Sequence, residues 1–398
     1  MQNLIELFRH PTHPWRPAVT WGLNDRLDGE EIVRQVRQFA HAGLGGFFLQ
    51  ARPGLVTPYL EDEWFDALAT AVEEAGRLGL RAWLCDEDRW PSGQAGGRVC
   101  ADEPSLAMPY LHYVYLLPGE EEPADALAVF ELPESETAQL AHESPAYRVA
   151  FLVLRSEASP WLNNGPQADL RNPGTFATFT RLTLEPAARR FADHLGRTIP
   201  GIATSEPSGR CRVPASLPWG ENFRQVFLDA KGYDLVPELP CLLFEVGDWT
   251  RVRFDYWDLV NALFLESFLQ PYAEWCRAHH VEFLGHFEEN SFPGPLVAHA
   301  PMPCQYLTDR PAFQSRSNAF EARPAHHHVE ARSPDQTRIV KEAASVAAQA
   351  GRARVQAQLW AAAGWDVDFF DLKRAADRLF VLGANDLAPQ AALYSLRG

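Results

Sequence analysis

The sequence predicts a (β/α)8 barrel, and three observations carry that prediction. Short apolar runs without polar alternation recur along the chain, a stretch of helical period follows most of them, and each run ends in charged or amide residues. Strands apolar on both faces belong to a parallel sheet covered by helices. Eight strand–helix units in sequence favour the closed barrel over an open doubly wound sheet.

The elements follow in order. Ala18 to Gly22 is an apolar run ending in Asn24 and Asp25. Gly29 to Ala42 is a helix with Ile32, Val33, Val36, Phe39 and Ala40 on one face, stopped by Gly43. Gly46 to Leu49 is a second strand, Glu61 to Leu78 a second helix closing at Gly79, and Arg81 to Cys85 a third strand leading into Asp86-Glu87-Asp88-Arg89-Trp90. Between residues 107 and 158 the rhythm breaks. Tyr110 to Leu117, Leu127 to Leu132 and Tyr147 to Leu154 read as a small antiparallel insertion within the one barrel domain. Thr175 to Leu195 is then a helix, Ile199 to Thr204 a strand ending in Glu206, and Leu217 to Trp219 a weak strand. Val252 to His279 is a long amphipathic region, and Val281 to His286 a strand followed by Glu288 and Glu289. After an irregular Pro-rich stretch, Pro334 to Ala350 and Phe369 to Leu382 are helices, while Arg352 to Trp360 and Ala388 to Leu396 are strands. That gives seven firm strands and one weak one, with no residues for an eighth helix. Residues 1 to 16, whose Leu4, Ile5, Leu7 and Phe8 are otherwise unexplained, are expected to cover that side, or else a second copy or the β-domains of a longer protein.

Composition narrows the function. Over 398 residues the formal charge is −16, which argues against phosphate neutralisation and so against nucleic acid as a partner. No run approaches 18 uninterrupted apolar residues, so no membrane partner is expected. Pro11, Pro14 and Pro17 follow a start that lacks a basic region, so the N-terminus does not read as a signal peptide, and a cytoplasmic protein is expected. Cys85, Cys100, Cys211, Cys241, Cys276 and Cys304 form no C-x-x-C pair. His326 to His328 are adjacent in a Pro- and Arg-containing stretch and cannot all face one ion from a regular element. Phosphate-loop, dinucleotide and serine-hydrolase motifs are absent, so no nucleotide cofactor is expected.

Barrel chemistry sits beyond the strands' C-terminal ends. The residues there are Asn24, Asp25, Arg52, Asp86, Asp88, Arg89, Glu206, His286, Glu288, Glu289 and Asp366. With Trp21, Trp90, Trp219 and Trp365 they suit a sugar, whose C–H face stacks on indole while its hydroxyls bond to carboxylates and amides. Paired carboxylates are also the chemistry of glycoside cleavage.

FFLQARPG (47–54), TPYLEDEWF (57–65), RAWLCDEDRWPSGQAGG (81–97), IPGIATSEP (199–207), RFDYW (253–257), FLGHFEEN (283–290), AGWD (363–366) and LYSLRG (393–398) together resemble the α-L-rhamnosidase-like glycoside hydrolases, glycoside hydrolase family 106. The resemblance runs in order over nearly the whole chain. It implies a (β/α)8 barrel followed by C-terminal β-domains, an inverting mechanism on a deoxy-sugar glycoside, and calcium. The chain departs from the pattern at four places. Gln50 and Gln390 replace histidines, Ser205 replaces an Asp, and Gln358 replaces the Glu that the resemblance makes the water-activating base. An amide cannot accept that proton. Glu206 remains as the acid, and either Glu288 or Glu289 supplies the second carboxylate, or the protein binds sugar without cleaving it. Gln50, Gln358, Gln390, Trp90, Trp219 and Trp365 complete the expected sugar contacts.

Overall fold

A computed structural model describes residues 2–131, 148–287, 301–316, 336–361 and 367–397. The chain divides into two compact units, residues 1–96, 177–207 and 269–398, and residues 97–176 and 208–268. Strands are numbered along the chain. The first unit is the barrel, built from β1 (Ala18–Asp25), β2 (Gly46–Leu55), β3 (Arg81–Cys85), β7 (Gly201–Ser205), β9 (Glu282–His286), β10 (Arg310–Arg316), β11 (Gln356–Ala361) and β12 (Asp386–Leu393). They close in the order β1-β12-β11-β10-β9-β7-β3-β2, every pair parallel. The expected (β/α)8 architecture is therefore present.

Local chemistry sets the helices between them. Asp28 caps helix Gly29–His41 by accepting the Glu31 N–H, and Asp368 caps helix Phe369–Leu382 through the Asp371 N–H. Gly79, at φ +73°, ends helix Asp62–Leu78 in the left-handed cap that glycine adopts at no steric cost. These helices cover the strands' outer faces. Trp21 of β1 meets Phe39 and Phe47 edge to face and donates its indole N–H to Gln35 at 2.9 Å. Phe313, Ala357 and Leu359 pack with Ile339, Val340 and Ala343 of helix Gln336–Gln349 and with Leu379 of helix Phe369–Leu382.

Three expectations need correction. The weak strand at Leu217 to Trp219 is not in the barrel. Ser216–Pro218 is β8, an edge strand of the antiparallel sheet β5-β6-β4-β8 with β5 Ala126–Glu131, β6 Arg148–Arg155 and β4 Pro109–Leu116. The missing barrel strand is β10, inside the stretch read as irregular. The insertion is also larger than residues 107 to 158. Its sheet shares one core with the helices that follow, Leu111, Phe151 and Trp219 packing with Phe227, Tyr256 and Val260. The long 252–279 region is divided into helices Trp249–Phe264 and Gln270–Ala278 by a wide turn over Leu265–Leu269, just before Pro271, which has no N–H to continue the ladder.

The N-terminal cover takes another form than expected. Helix Gln2–Arg9 leaves Leu4, Ile5 and Phe8 exposed, at 70, 50 and 89% of their full areas, with Leu7 half-buried. Among the described residues no helix is long and apolar enough to cross a membrane.

Candidate active site at the barrel mouth

Alternation along the strands sorts their side chains. Ala18, Phe48, Trp83, Ala203, Leu284 and Ala388, from six strands, form one cluster inside the barrel. Residues two positions further face the same interior, one layer nearer the C-terminal mouth. They are Thr20, Gln50, Cys85, Ser205, His286 and Gln390. Gln358 lies in register with Ala388, and Gln314 with Gln358, which adds both to the polar set. Three of these amides form a row. Gln390 Nε2 donates to Gln358 Oε1 at 2.9 Å, and Gln314 Nε2 lies 3.5 Å from Gln390 Oε1.

Glu206 directly follows β7. It adopts φ +47°, donates its N–H to the His286 carbonyl at 3.0 Å, and places Oε1 3.8 Å from His286 Nε2. Both side chains are buried. In the strand order β7 and β9 are neighbours, and β12 is four places round the ring from β7. The amide row thus runs from β12, opposite Glu206, over β11 to β10, which pairs with β9 beside His286.

The segment after β3 braces this arrangement. Ser92 exchanges its N–H and Oγ with the Ser205 backbone, its N–H donating at 2.9 Å and its Oγ accepting at 2.8 Å, which fixes the end of β7 next to Glu206. Ser92 Oγ also donates to Asp86 Oδ1 at 2.6 Å, and the Tyr272 hydroxyl donates to Asp86 Oδ2 at 3.0 Å. Burial pushes the Asp86 carboxyl up to about 6, against the opposing pull of these hydroxyls. Glu87 Oε2 accepts the N–H groups of Gln94 and Ala95, both at 2.8 Å, and Oε1 those of Gly96 at 2.6 Å and Asp88 at 3.1 Å. Gly93, Ala95 and Gly96 all have left-handed φ, and this curls the backbone into a nest of donors around the Glu87 carboxyl.

The predicted residues therefore separate. Gln50, Arg52, Glu206, His286, Gln358 and Gln390 come together at the mouth, joined by Gln314, Cys85 and Ser205, which the sequence reading did not select. Asp86 turns away from the interior and holds the strand end. Asp88 and Arg89 pair with each other at 3.8 Å, and Trp90 is about one-third exposed. Asn24 spends both ends of its amide on the loop after β12, donating to Ser395 O at 3.0 Å and accepting the Ser395 N–H at 2.8 Å. Asp25 accepts from Arg26 N–H and from Arg397. Trp219 is a core residue of the second unit, tilted against Phe223. Glu288, Glu289, Trp365, Asp366 and the His326–His328 run lie outside the described residues.

Calcium, which the resemblance implies, takes six to eight oxygen ligands. Among the described residues no three His, Cys, Asp or Glu side chains converge on one point, and the Asp86 and Glu87 oxygens already accept protein donors.

The barrel is similar in fold to a rhamnosidase. Against the structure of the rhamnosidase from Novosphingobium sp. PP1Y the TM-score is 0.61 at 14% identity, over 98% of this chain and 56% of that one. The chain thus spans just over half the length of that protein. The β-amylase catalytic domain from Paenibacillus polymyxa matches at a TM-score of 0.45 and 10% identity, over 95% of this chain and 92% of that one. No protein-family profile and no curated protein sequence matches the chain. At 14% identity the likeness to the rhamnosidase structure establishes the fold alone, a (β/α)8 barrel.

Proposed function

We propose that the barrel mouth binds a deoxy-sugar glycoside and cleaves it by an inverting, two-carboxylate mechanism, with Glu206 giving the proton to the leaving oxygen. The observation that carries this reading is the buried Glu206–His286 pair at 3.8 Å, in a polar barrel mouth that also holds the amide row of Gln314, Gln390 and Gln358. Amides offer both donors and acceptors to sugar hydroxyls without adding charge. Glu206, as the acid, protonates the glycosidic oxygen as its bond to the anomeric carbon breaks. Water attacks from the opposite face, and its proton passes to the second carboxylate, which Glu288 or Glu289 supplies.

The amide at position 358 favours a second reading, a barrel that recognises the glycoside without turning it over, because no proton acceptor stands there. A panel of aryl glycosides that includes the α-L-rhamnoside, assayed alongside calorimetric binding of the free sugars, separates the two. Hydrolysis that falls by about 10²–10⁴ in Glu206→Gln supports the first reading. Binding without turnover selects the second, and Gln358→Glu is then expected to raise turnover at least tenfold. A Glu206→Gln variant that keeps most of the wild-type rate removes Glu206 from the acid role.

A further inference from the structure

Arg52 follows Gln50 on β2 and is half-buried at the mouth. Its stem lies over Gly22 of β1. A Cβ at Gly22 would stand 2.9 Å from Arg52 Cγ and 3.0 Å from Leu393 Cδ2, so glycine there leaves the space the arginine occupies. Arg52 has no hydrogen-bond or ion-pair partner among the described residues, in a chain whose formal charge is −16. The titratable neighbour that acts on it is the Cys85 thiol, itself pushed up by burial and by Asp86. Burial pulls the guanidinium down from its usual range, and no carboxylate among the described residues offsets the cost. A planar, five-donor cation held in that state is matched by an oxyanion, which it binds with two parallel N–H···O bonds.

We infer that the glycoside taken by this mouth is acidic, carrying a carboxylate or a sulfate ester that seats on Arg52. This rests on the carbohydrate reading and narrows its substrate class. The uronic acid and the sulfated sugar present the same oxyanion chemistry, so both enter the test.

Three disaccharides that share one non-reducing deoxy-sugar are titrated into the wild type and into Arg52→Gln, Arg52→Lys and Gly22→Ala: a rhamnosyl-glucose, the matched rhamnosyl-glucuronate, and the rhamnosyl-glucose 6-sulfate. The quantity read is the affinity ratio of acidic to neutral ligand within each variant, so a general loss of folded protein cancels. In the wild type at low salt one of the acidic ligands is expected to bind at least about tenfold tighter than the neutral one, the gap narrowing at high salt. Which of the two does so names the oxyanion. Arg52→Gln should bring the ratio below about twofold, Arg52→Lys should keep part of it, and Gly22→Ala should reduce it by displacing the arginine. Equal binding of all three ligands by the wild type overturns the inference while leaving the carbohydrate reading intact, as does a ratio that survives Arg52→Gln. Failure of every sugar to bind overturns both.

Discussion

A carboxyl buried under Tyr272 and Ser92 and pushed up to about 6 makes Asp86 a measurable reporter of the region that braces Glu206. Its ordinary value is 3.8, so between about pH 4 and pH 6 the folded protein holds a proton that the unfolded chain has released. The stabilisation that this gives is complete below pH 4, is lost as the pH rises through 6, and amounts to about 3 kcal/mol. Urea denaturation of the wild type should therefore show stability falling over that window relative to Asp86→Asn, whose amide does not titrate. Equal slopes in the two proteins would mean that Asp86 is ionised in both states. Glu87 carries a different expectation. Four backbone N–H groups converge on its carboxylate, so Glu87→Ala should open the 93–96 turn and cost about 2–4 kcal/mol. Thermal unfolding checks it, and a loss below 1 kcal/mol would show that the nest holds without its carboxyl.

Among the elements, β10 shows why part of the barrel was hidden. Seven strands were legible because both of their faces are apolar, and helices Asp62–Leu78 and Phe369–Leu382 because their caps and periodicity agree. β10 reads Arg-Pro-Ala-Phe-Gln-Ser-Arg, with the polar Arg310 and Gln314 on either side of Ala312 at its inward positions. Arg310 pairs with Asp386 at 2.6 Å and with Glu282, and lies over the Trp83 ring, while Gln314 reaches the amide row. Strand chemistry spent on an ion network looks like a loop. The same blindness extended to the site. Gln50, Arg52, Glu206 and His286 were found because they end apolar runs, Gln358 and Gln390 because they stand where the resembled pattern has a Glu and a His, and Gln314 was not because its strand was not. Asn24 and Asp86 were overread because a polar residue at a strand end serves a neighbouring loop as readily as a ligand. The network itself is testable. Arg310→Leu leaves the buried Asp386 without its main partner and should cost about 3–5 kcal/mol by urea denaturation, while Arg310→Leu with Asp386→Leu should recover most of that loss. A double variant no more stable than the single one would show that packing, not charge, holds the floor.

For the barrel as a whole, closure depends on β12 meeting β1, and the residues after β12 extend that seam. Tyr394 donates its N–H to Gly22 O at 2.9 Å and accepts the Gln35 amide on its carbonyl at 2.8 Å and the Asp28 N–H on its hydroxyl at 2.9 Å. Asn24 adds the two-way exchange with Ser395. These bonds tie the loop to β1 and to helix Gly29–His41, the flank that the sequence reading assigned to residues 1 to 16. Helix Gln2–Arg9, in contrast, leaves most of Leu4 and Phe8 and half of Ile5 in water, so removing it forfeits little buried area. Two changes of unequal size should therefore have effects in the opposite order. Asn24→Ala, a single truncation, strips partners from three backbone groups of the seam, the Ser395 N–H and the Ser395 and Arg397 carbonyls, and should cost about 2–3 kcal/mol. Deleting residues 2–9 should shift stability by less than about 0.5 kcal/mol, as surface changes do. Urea denaturation of both variants at low micromolar and at tenfold higher protein concentration decides it. A deletion that costs more than the point substitution, and more so at the higher concentration, would show that the exposed helix face is covered by a second copy and that closure of this flank is shared between chains.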